Sequence, residues 1–214
     1  MIDYKLPDEN LLLQRLELGS IATNCYILAD KEAQELAVID PAGDFEVLSA
    51  AIEQTGCRVK YIFNTHGHWD HIGANAKLHA QTGAPILIHA ADAPMLEQGY
   101  DRLFQVRVEP SKADKLLEEG QSWPLGQYNL EVLTTPGHTK GGVSLLVPER
   151  MVFSGDTLFQ LSIGRTDLPG GDYQELINSV RNKLFSLPDD LPVFPGHGAH
   201  TFIGEEKQYN PFFK

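Results

Sequence analysis

Thr65-His66-Gly67-His68-Trp69-Asp70-His71 places three of the chain's eight histidines, and an aspartate, within six consecutive residues. The stretch follows Val59–Phe63, an apolar and β-branched run that reads as a buried strand. A second amphipathic helix is expected over His71–Thr82, closed by Gly83. The cluster therefore sits at the C-terminal end of a strand, where α/β proteins commonly place ligand sites. Two-residue alternation lets His66 and His68 point the same way, while Asp70 and His71 belong to the turn and aim elsewhere. Two donor pairs from one loop suit two neighbouring metal positions. Gly67 lets the backbone approach closely beside a crowded ion.

Three later residues stand in the same kind of place. His138 follows Leu-Thr-Thr-Pro-Gly137, Asp156 follows Met-Val-Phe-Ser-Gly155, and His197 follows Val-Phe-Pro-Gly196. Each closes an apolar strand beside glycine or proline. Imidazole and carboxylate donors without cysteine suit zinc first, with iron or manganese as alternatives. His66, His68, Asp70, His71, His138, Asp156 and His197 make seven donors. That is too many for one tetrahedral ion and enough for two divalent ions if one carboxylate bridges. Taken singly, a histidine reads as a surface or satisfied core residue, and His79, His89 and His200 are left so. Applied to all seven, that reading leaves several polar groups at strand ends without a common partner, which folded proteins avoid.

The rest of the 214-residue chain alternates strands and helices, an α/β pattern. Strands are expected at Leu13–Leu18, Asn24–Leu28, Leu36–Ile39, Pro85–Ile88, Leu130–Leu133, Val143–Val147, Met151–Phe153 and Leu191–Phe194. After Asp44, a candidate N-cap, Phe45, Val47, Leu48, Ala51 and Ile52 recur at helical spacing until Gly56, an expected amphipathic helix. Another begins at the capping box Asp172-Tyr-Gln-Glu175 and buries Leu176, Ile177, Val180 and Leu184. From Gln98 to about Lys115 no clean period appears, which fits an irregular helix or a loop over the site. No repeat or linker divides residues 1–214, and one compact domain is expected.

Seventeen basic against 29 acidic residues give a net charge of −12, which repels nucleic-acid phosphates and anionic membrane surfaces. No apolar run approaches the roughly 18 to 20 residues of a membrane span. The opening MIDYKLPDEN lacks the basic and then apolar pattern of a signal peptide, so a cytoplasmic protein is expected. Cys25 and Cys57 are too few for a disulfide framework and are expected as buried thiols. The oligomeric state is open.

His-x-His-x-Asp-His at 66–71, with His138, Gly155-Asp156 and Gly196-His197, resembles the metal-binding signature of the metallo-β-lactamase superfamily. The resemblance runs from about Asn24 to Gly198. It implies an αββα sandwich, two mixed sheets face to face with helices outside and a metal site at one edge. It also implies that His66, His68 and His138 hold one metal and Asp70, His71 and His197 the other, with Asp156 bridging. True β-lactamases of this fold usually carry cysteine or serine at the position of Asp156. Gly155-Asp-Thr-Leu-Phe159 and Ile163-Gly-Arg165 look like the glyoxalase II, or hydroxyacylglutathione hydrolase, group. Glyoxalase II proteins add a C-terminal helical region with glutathione contacts, where only Thr201–Lys214 follows here. Gly164-Arg-Thr-Asp167 also resembles the persulfide dioxygenases, which use a single iron.

The resemblance implies hydrolysis of a small thioester of the S-acylglutathione type by a metal-bridging hydroxide that Asp70 orients. A thiolate, whose conjugate thiol has a pKa near roughly 8.5, departs without a proton donor, whereas an amine does not. Arg165 is a candidate for binding a substrate carboxylate, with a structural pairing to Asp167 as its alternative. Lys140 is a second candidate, and Trp69 either walls the site or packs behind it. The competing readings are a mononuclear-iron persulfide dioxygenase, a lactone or ester hydrolase of the same fold, and a non-catalytic metal-binding scaffold.

Overall fold

The computed structural model describes residues 1–214 except Lys5 and Pro7. Two sheets carry the architecture. The first orders Ile2–Tyr4, Leu11–Leu18, Thr23–Asp30, Glu35–Ile39, Arg58–Phe63, Ile86–His89 and Lys115–Leu117 side by side. The second orders Ser122–Leu125, Tyr128–Thr134, Val143–Val147, Met151–Gly155, Pro192–Pro195 and Thr201–Phe202. Both are mixed. Glu35–Ile39 runs parallel to Arg58–Phe63, and Met151–Gly155 runs parallel to Pro192–Pro195. A parallel pair needs a crossover, and the helices Phe45–Thr55 and Tyr173–Asn182 lie in the crossovers of these two pairs; Arg58–Phe63 with Ile86–His89, and Ile86–His89 with Lys115–Leu117, are parallel as well.

Three apolar clusters stack these layers. Leu13, Leu28, Ile39 and Phe63 of the first sheet meet Leu130, Leu145, Phe153 and Phe194 of the second between the sheets. Cys25, Ile27, Leu36 and Val38, on the opposite face of the first sheet, pack under Leu48, Ile52 and Leu78 of the helices. Val152 and Val193 do the same beneath Leu176, Ile177 and Val180. The result is helix, sheet, sheet, helix, the αββα sandwich expected. Central strands are therefore buried on both faces, and Thr23–Asp30 is buried at every residue. Burying a Leu, Ile or Val side chain contributes roughly 1.5–3 kcal/mol, so the helix Tyr173–Asn182 is held mainly by these three residues. No described helix is long and apolar enough to cross a membrane.

Several expectations are corrected locally. The helix expected over His71–Thr82 is two short helices, Trp69–Ile72 and Asn75–Thr82. The break lies at Gly73, where a Cβ would stand 2.2 Å from the Ala42 carbonyl oxygen, so the chain must bend past the Asp40–Gly43 turn. Asp44 precedes its helix but does not cap it. Its carboxylate instead accepts from the Gly19 amide at 2.8 Å. Asp172 does cap, accepting from the Glu175 amide at 2.9 Å. Gln98–Lys115 contains a small hairpin, Tyr100–Asp101 with Val106–Arg107. Ile2–Tyr4 and Thr201–Phe202 are strands too short and polar to read in advance. Cys25 is buried and free, while Cys57 is only half-buried.

Candidate metal centre

The strands that run parallel all end at one edge of the sandwich, and their first loop residues are the chemical ones. Glu35–Ile39 leads to Asp40, Arg58–Phe63 to Thr65 and His66, Met151–Gly155 to Asp156, and Pro192–Pro195 to His197. Backbone bonds join the two sheets there at two points and tie the second sheet's own strand ends at a third. The Asn24 amide donates to the Gly196 carbonyl at 2.7 Å, the Val143 amide to Thr65 at 2.8 Å, and the Gly196 amide to Gly155 at 2.8 Å. The edge is thus rigid where the donors stand.

All seven expected donors converge. His66, His68 and His138 place their ligand atoms within 4.8 Å of one another, and so do Asp70, His71 and His197. His68 Nδ1 lies 2.9 Å from His138 Nε2. In the other group, Asp70 Oδ2 is 3.2 Å from His71 Nε2 and 3.2 Å from His197 Nε2. Asp156 faces both groups, with Oδ2 3.5 Å from His138 Nε2 and 3.6 Å from His197 Nε2, and Oδ1 3.4 Å from His71 Nε2. The two groups correspond to the two metal positions that the resemblance implies.

Outer partners set which ring nitrogen is free to ligate. Thr65 Oγ1 gives its single proton to Asp40 Oδ2 at 2.7 Å, so at 3.1 Å it can only accept from His66 Nδ1–H. His138 Nδ1–H donates to the Arg165 carbonyl at 2.7 Å, and His71 Nδ1–H to Asp40 Oδ2 at 2.9 Å. Each of these rings is left with its Nε2 lone pair pointing inward. Thr23 Oγ1 donates to Asp70 Oδ2 at 2.9 Å. The inward atoms His66 Nε2, His71 Nε2 and Asp156 Oδ1 are buried without a hydrogen-bond partner. Orphaned buried polar atoms are costly, and three gathered at one place fit a pair of divalent cations.

The electrostatics agree. Burial, together with the neighbouring rings of His71, His68 and His138, pushes His66 well below the ordinary histidine value, so it stays neutral. Burial and His138 push His68 down to about 4. Burial opposes charge on Asp70, but His71 and His197 override it and hold the carboxyl far below its usual range. Asp156 is lowered likewise, against its burial, by His71, His138 and His197. Burial also opposes charge on His71, and Asp70, Asp156 and Asp40 outweigh it, raising that ring. Neutral His66 and His68 and the ionised carboxylates are already ligand-ready, whereas His71, whose proton the three carboxylates favour, gives that proton up to a cation bound among them.

Glycines let the donors approach. A Cβ on Gly196 would lie 2.1 Å from Asp156 Oδ1, and one on Gly164 would lie 1.7 Å from the Asp156 carbonyl oxygen.

The sequence reading overlooked three residues. Asp40 is 2 % exposed and orients His71. Thr65 orients His66. Asp92, 2 % exposed, accepts from the Gly67 amide at 3.0 Å and the Gly141 amide at 2.8 Å, clamping the two loops that carry His68 and His138. Asp40 alone left a trace, as an aspartate closing an apolar strand.

The remaining candidates lie outside the two groups. Arg165 is exposed, and its guanidinium is held by Asp167 through Nε at 2.8 Å and Nη2 at 2.7 Å. Lys140 is exposed on the His138 loop. Trp69 packs 6.1 Å from the ring of Phe104, a residue that lines the cavity beside the site.

Comparison with known proteins gives the same picture. The chain is 40% identical over 206 residues to hydroxyacylglutathione hydrolase GloC of Haemophilus influenzae, covering 94% of this chain and 97% of that protein. Among solved structures, BLEG-1 B3 metallo-beta-lactamase superposes with a TM-score of 0.89 at 38% identity, covering 94% of this chain and 99% of that one. TTHA1623 in a di-iron-bound form superposes with a TM-score of 0.85 at 37% identity, covering 93% and 99%. The profile of the metallo-beta-lactamase superfamily matches residues 18–197, the span that holds both donor groups, and the chain belongs to that superfamily.

Proposed function

We propose that this metallo-hydrolase cleaves thioesters of the S-acylglutathione type, with His66, His68 and His138 holding one divalent ion, Asp70, His71 and His197 the other, and Asp156 shared. The observation that carries the reading is Asp156, whose two oxygens face rings of both groups. The relative named hydroxyacylglutathione hydrolase supports the substrate class. Zinc suits the donor set, and the relative in a di-iron form keeps iron open as the occupant. When bound, a pair of divalent ions supplies an activated water and positive charge for the oxygen of the attacked carbonyl.

The chain's own groups do the positioning. Asp70 Oδ2 accepts from Thr23 Oγ1 and lies 3.2 Å from His71 Nε2 and from His197 Nε2, so Asp70 is held beside the second group, where its carboxylate would orient the attacking water. A carbon–oxygen bond forms at the carbonyl and the carbon–sulfur bond breaks, its electron pair leaving on the thiolate. The water's protons pass to solvent and the product is a carboxylate. The clustered residues are metal donors and their orienting partners, with no separate acid for an amine leaving group. Thioesters are therefore preferred to the β-lactams suggested by the name of the BLEG-1 structure. Arg165 and Lys140 are proposed substrate contacts beside the His138 loop.

The test measures metal content on the same sample that is assayed with S-lactoylglutathione. Two ions with hydrolysis and no oxygen uptake support the proposal. One iron with oxygen consumed on glutathione persulfide replaces it with a dioxygenase. Two ions with cleavage of lactones, esters or β-lactams only, or no turnover at all, overturns the thioester assignment. The intact second group, Asp70, His71 and His197, favours the hydrolase over the single-iron reading.

A further inference from the structure

A cavity of about 570 Å³ opens beside the metal centre, and His68 lines it. Its size falls in the range of small-molecule sites, roughly 300–1,000 Å³. Met95, Leu103, Phe104 and Leu168 give it an apolar wall, beside the polar Gln98, Asp101 and Arg102. Leu103 and Phe104 are 60% and 40% exposed, an unusual concentration of bare apolar surface at the mouth of one cavity. Both stand at the tip of the Tyr100–Arg107 hairpin, and the wall they form is braced. Asp101 Oδ1 accepts from the Leu103 amide at 2.8 Å and the Phe104 amide at 2.9 Å, fixing the turn. Arg107 lies over the Tyr100 ring at 5.7 Å. Phe104 leans on Trp69, inside the histidine motif itself, so the wall is tied to the donor loop.

We propose that this cavity binds the acyl group of the substrate, and that it selects medium-length apolar acyl chains over short hydrophilic ones. The inference rests on the thioesterase reading above. A lactoyl group is far smaller than the cavity and gains nothing from its apolar wall. Of the two charged residues in the lining, Asp101 is committed to the hairpin's own amides and Arg102 stands on the same exposed hairpin, so the wall of Met95, Leu103, Phe104 and Leu168 is the part suited to the acyl side of the sulfur. His68 belongs to both the cavity and the first donor group, which places a bound chain next to the reacting carbonyl. Each methylene removed from water strengthens binding by about fourfold.

Two measurements separate this inference from the reading beneath it. With metal-loaded protein, kcat/KM for S-octanoylglutathione is expected to exceed that for S-acetylglutathione by at least about tenfold. Leu103→Asp should remove most of that ratio. Leu103→Ser is a milder second variant at the same exposed position. Independently, calorimetry with the uncleavable thioethers S-octylglutathione and S-methylglutathione reads binding alone, and the octyl form should bind at least about tenfold more tightly in the unaltered protein only. Thioester cleavage without chain-length preference, with equal thioether binding, overturns the cavity assignment and leaves the thioesterase reading standing. Tight octyl binding without cleavage of any thioester upholds the cavity and overturns the thioesterase.

Discussion

Asp40 and His71 meet at 2.9 Å in the deepest part of the centre, where the imidazole is fully buried and the carboxylate nearly so. Asp40 also accepts from both the amide and the hydroxyl of Thr65, each at 2.7 Å, so one carboxylate orients two adjacent histidines. Its φ of 51° is a left-handed conformation that a non-glycine residue adopts at some cost, repaid by these three bonds.

Asp40→Asn keeps the shape and removes the charge. Its amide group offers one acceptor oxygen where two are used, and a donor that faces hydrogens already present. Metal affinity is expected to fall about 10- to 100-fold, the usual effect of losing an orienting partner. Competition with a chromophoric chelator measures it, and an unchanged affinity denies Asp40 this role.

Asp92 joins the loops of His68 and His138 through the amides of Gly67 and Gly141. Asp92→Ala strands both amides in a buried place, each costing about 1–3 kcal/mol. Urea unfolding of the metal-free protein should therefore show a loss of about 2–5 kcal/mol. Asp92→Asn retains one acceptor and should lie between. Metal-free protein is the right sample, because bound ions would mask the loosening through their own linkage to folding.

The candidate donors were legible as a cluster because strand-to-turn junctions are local features, and His66, His68, Asp70, His71, His138, Asp156 and His197 lie at or just beyond such junctions. Their grouping came from family resemblance, since which ring faces which depends on two sheets closing together at one edge. The helix expected over His71–Thr82 failed for a reason of the same kind. Gly73 reads as tolerable in a helix until the Ala42 carbonyl is placed against it, and residues 31 apart give no local signal of that. Asp92 is hidden likewise, as it works through backbone amides 25 and 49 residues away. The hairpin Tyr100–Arg107 follows no helical or strand period because its apolar residues face a cavity and solvent rather than a core.

Arg165 is bound to Asp167 by two parallel bonds on the surface, an arrangement that holds Asp167 down to about 2. Exposed pairs of this kind contribute little stability, so Arg165→Ala should barely change unfolding. If the guanidinium exchanges Asp167 for a substrate carboxylate, the variant raises KM severalfold and leaves metal content intact. An unchanged KM removes Arg165 from substrate binding. Its carbonyl, which holds His138, is preserved in either case.

Glu119 gives a pH signature remote from the metal centre. It accepts from the Thr134 amide at 2.6 Å and hydroxyl at 2.7 Å and pairs with Lys183. Burial acts to raise its pKa, and Lys183 and Thr134 outweigh it, leaving a value below the usual 4.5. A carboxyl lowered in the folded state stabilises it above the unfolded value, and that contribution is lost as pH falls through the folded value. Glu119→Gln should therefore be less stable than the parent near neutrality, by under about 1 kcal/mol after solvent screening. The difference should shrink below about pH 4. Denaturation curves of both proteins across that range decide it.

Gly196 separates a steric requirement of the centre from ordinary loop strain. Its backbone cannot retreat, because its amide donates to Gly155 and its carbonyl accepts from Asn24. A methyl group there would stand 2.1 Å from Asp156 Oδ1 and 2.7 Å from His71 Cε1, so in Gly196→Ala those side chains must move. Asp156 faces both donor groups, so its displacement should weaken both ions together rather than one selectively. Overpacking of this kind also lowers stability by about 1–3 kcal/mol. Gly198→Ala, two residues on, is the control. Its added Cβ meets nothing within 4 Å, and the only penalty is a left-handed φ of 76°, about 1–2 kcal/mol. Metal content by elemental analysis should drop for Gly196→Ala and stay at the parent's level for Gly198→Ala, although both variants lose comparable stability. If the two lost metal equally, the effect would belong to the loop as a whole and not to the close approach of Gly196 to Asp156.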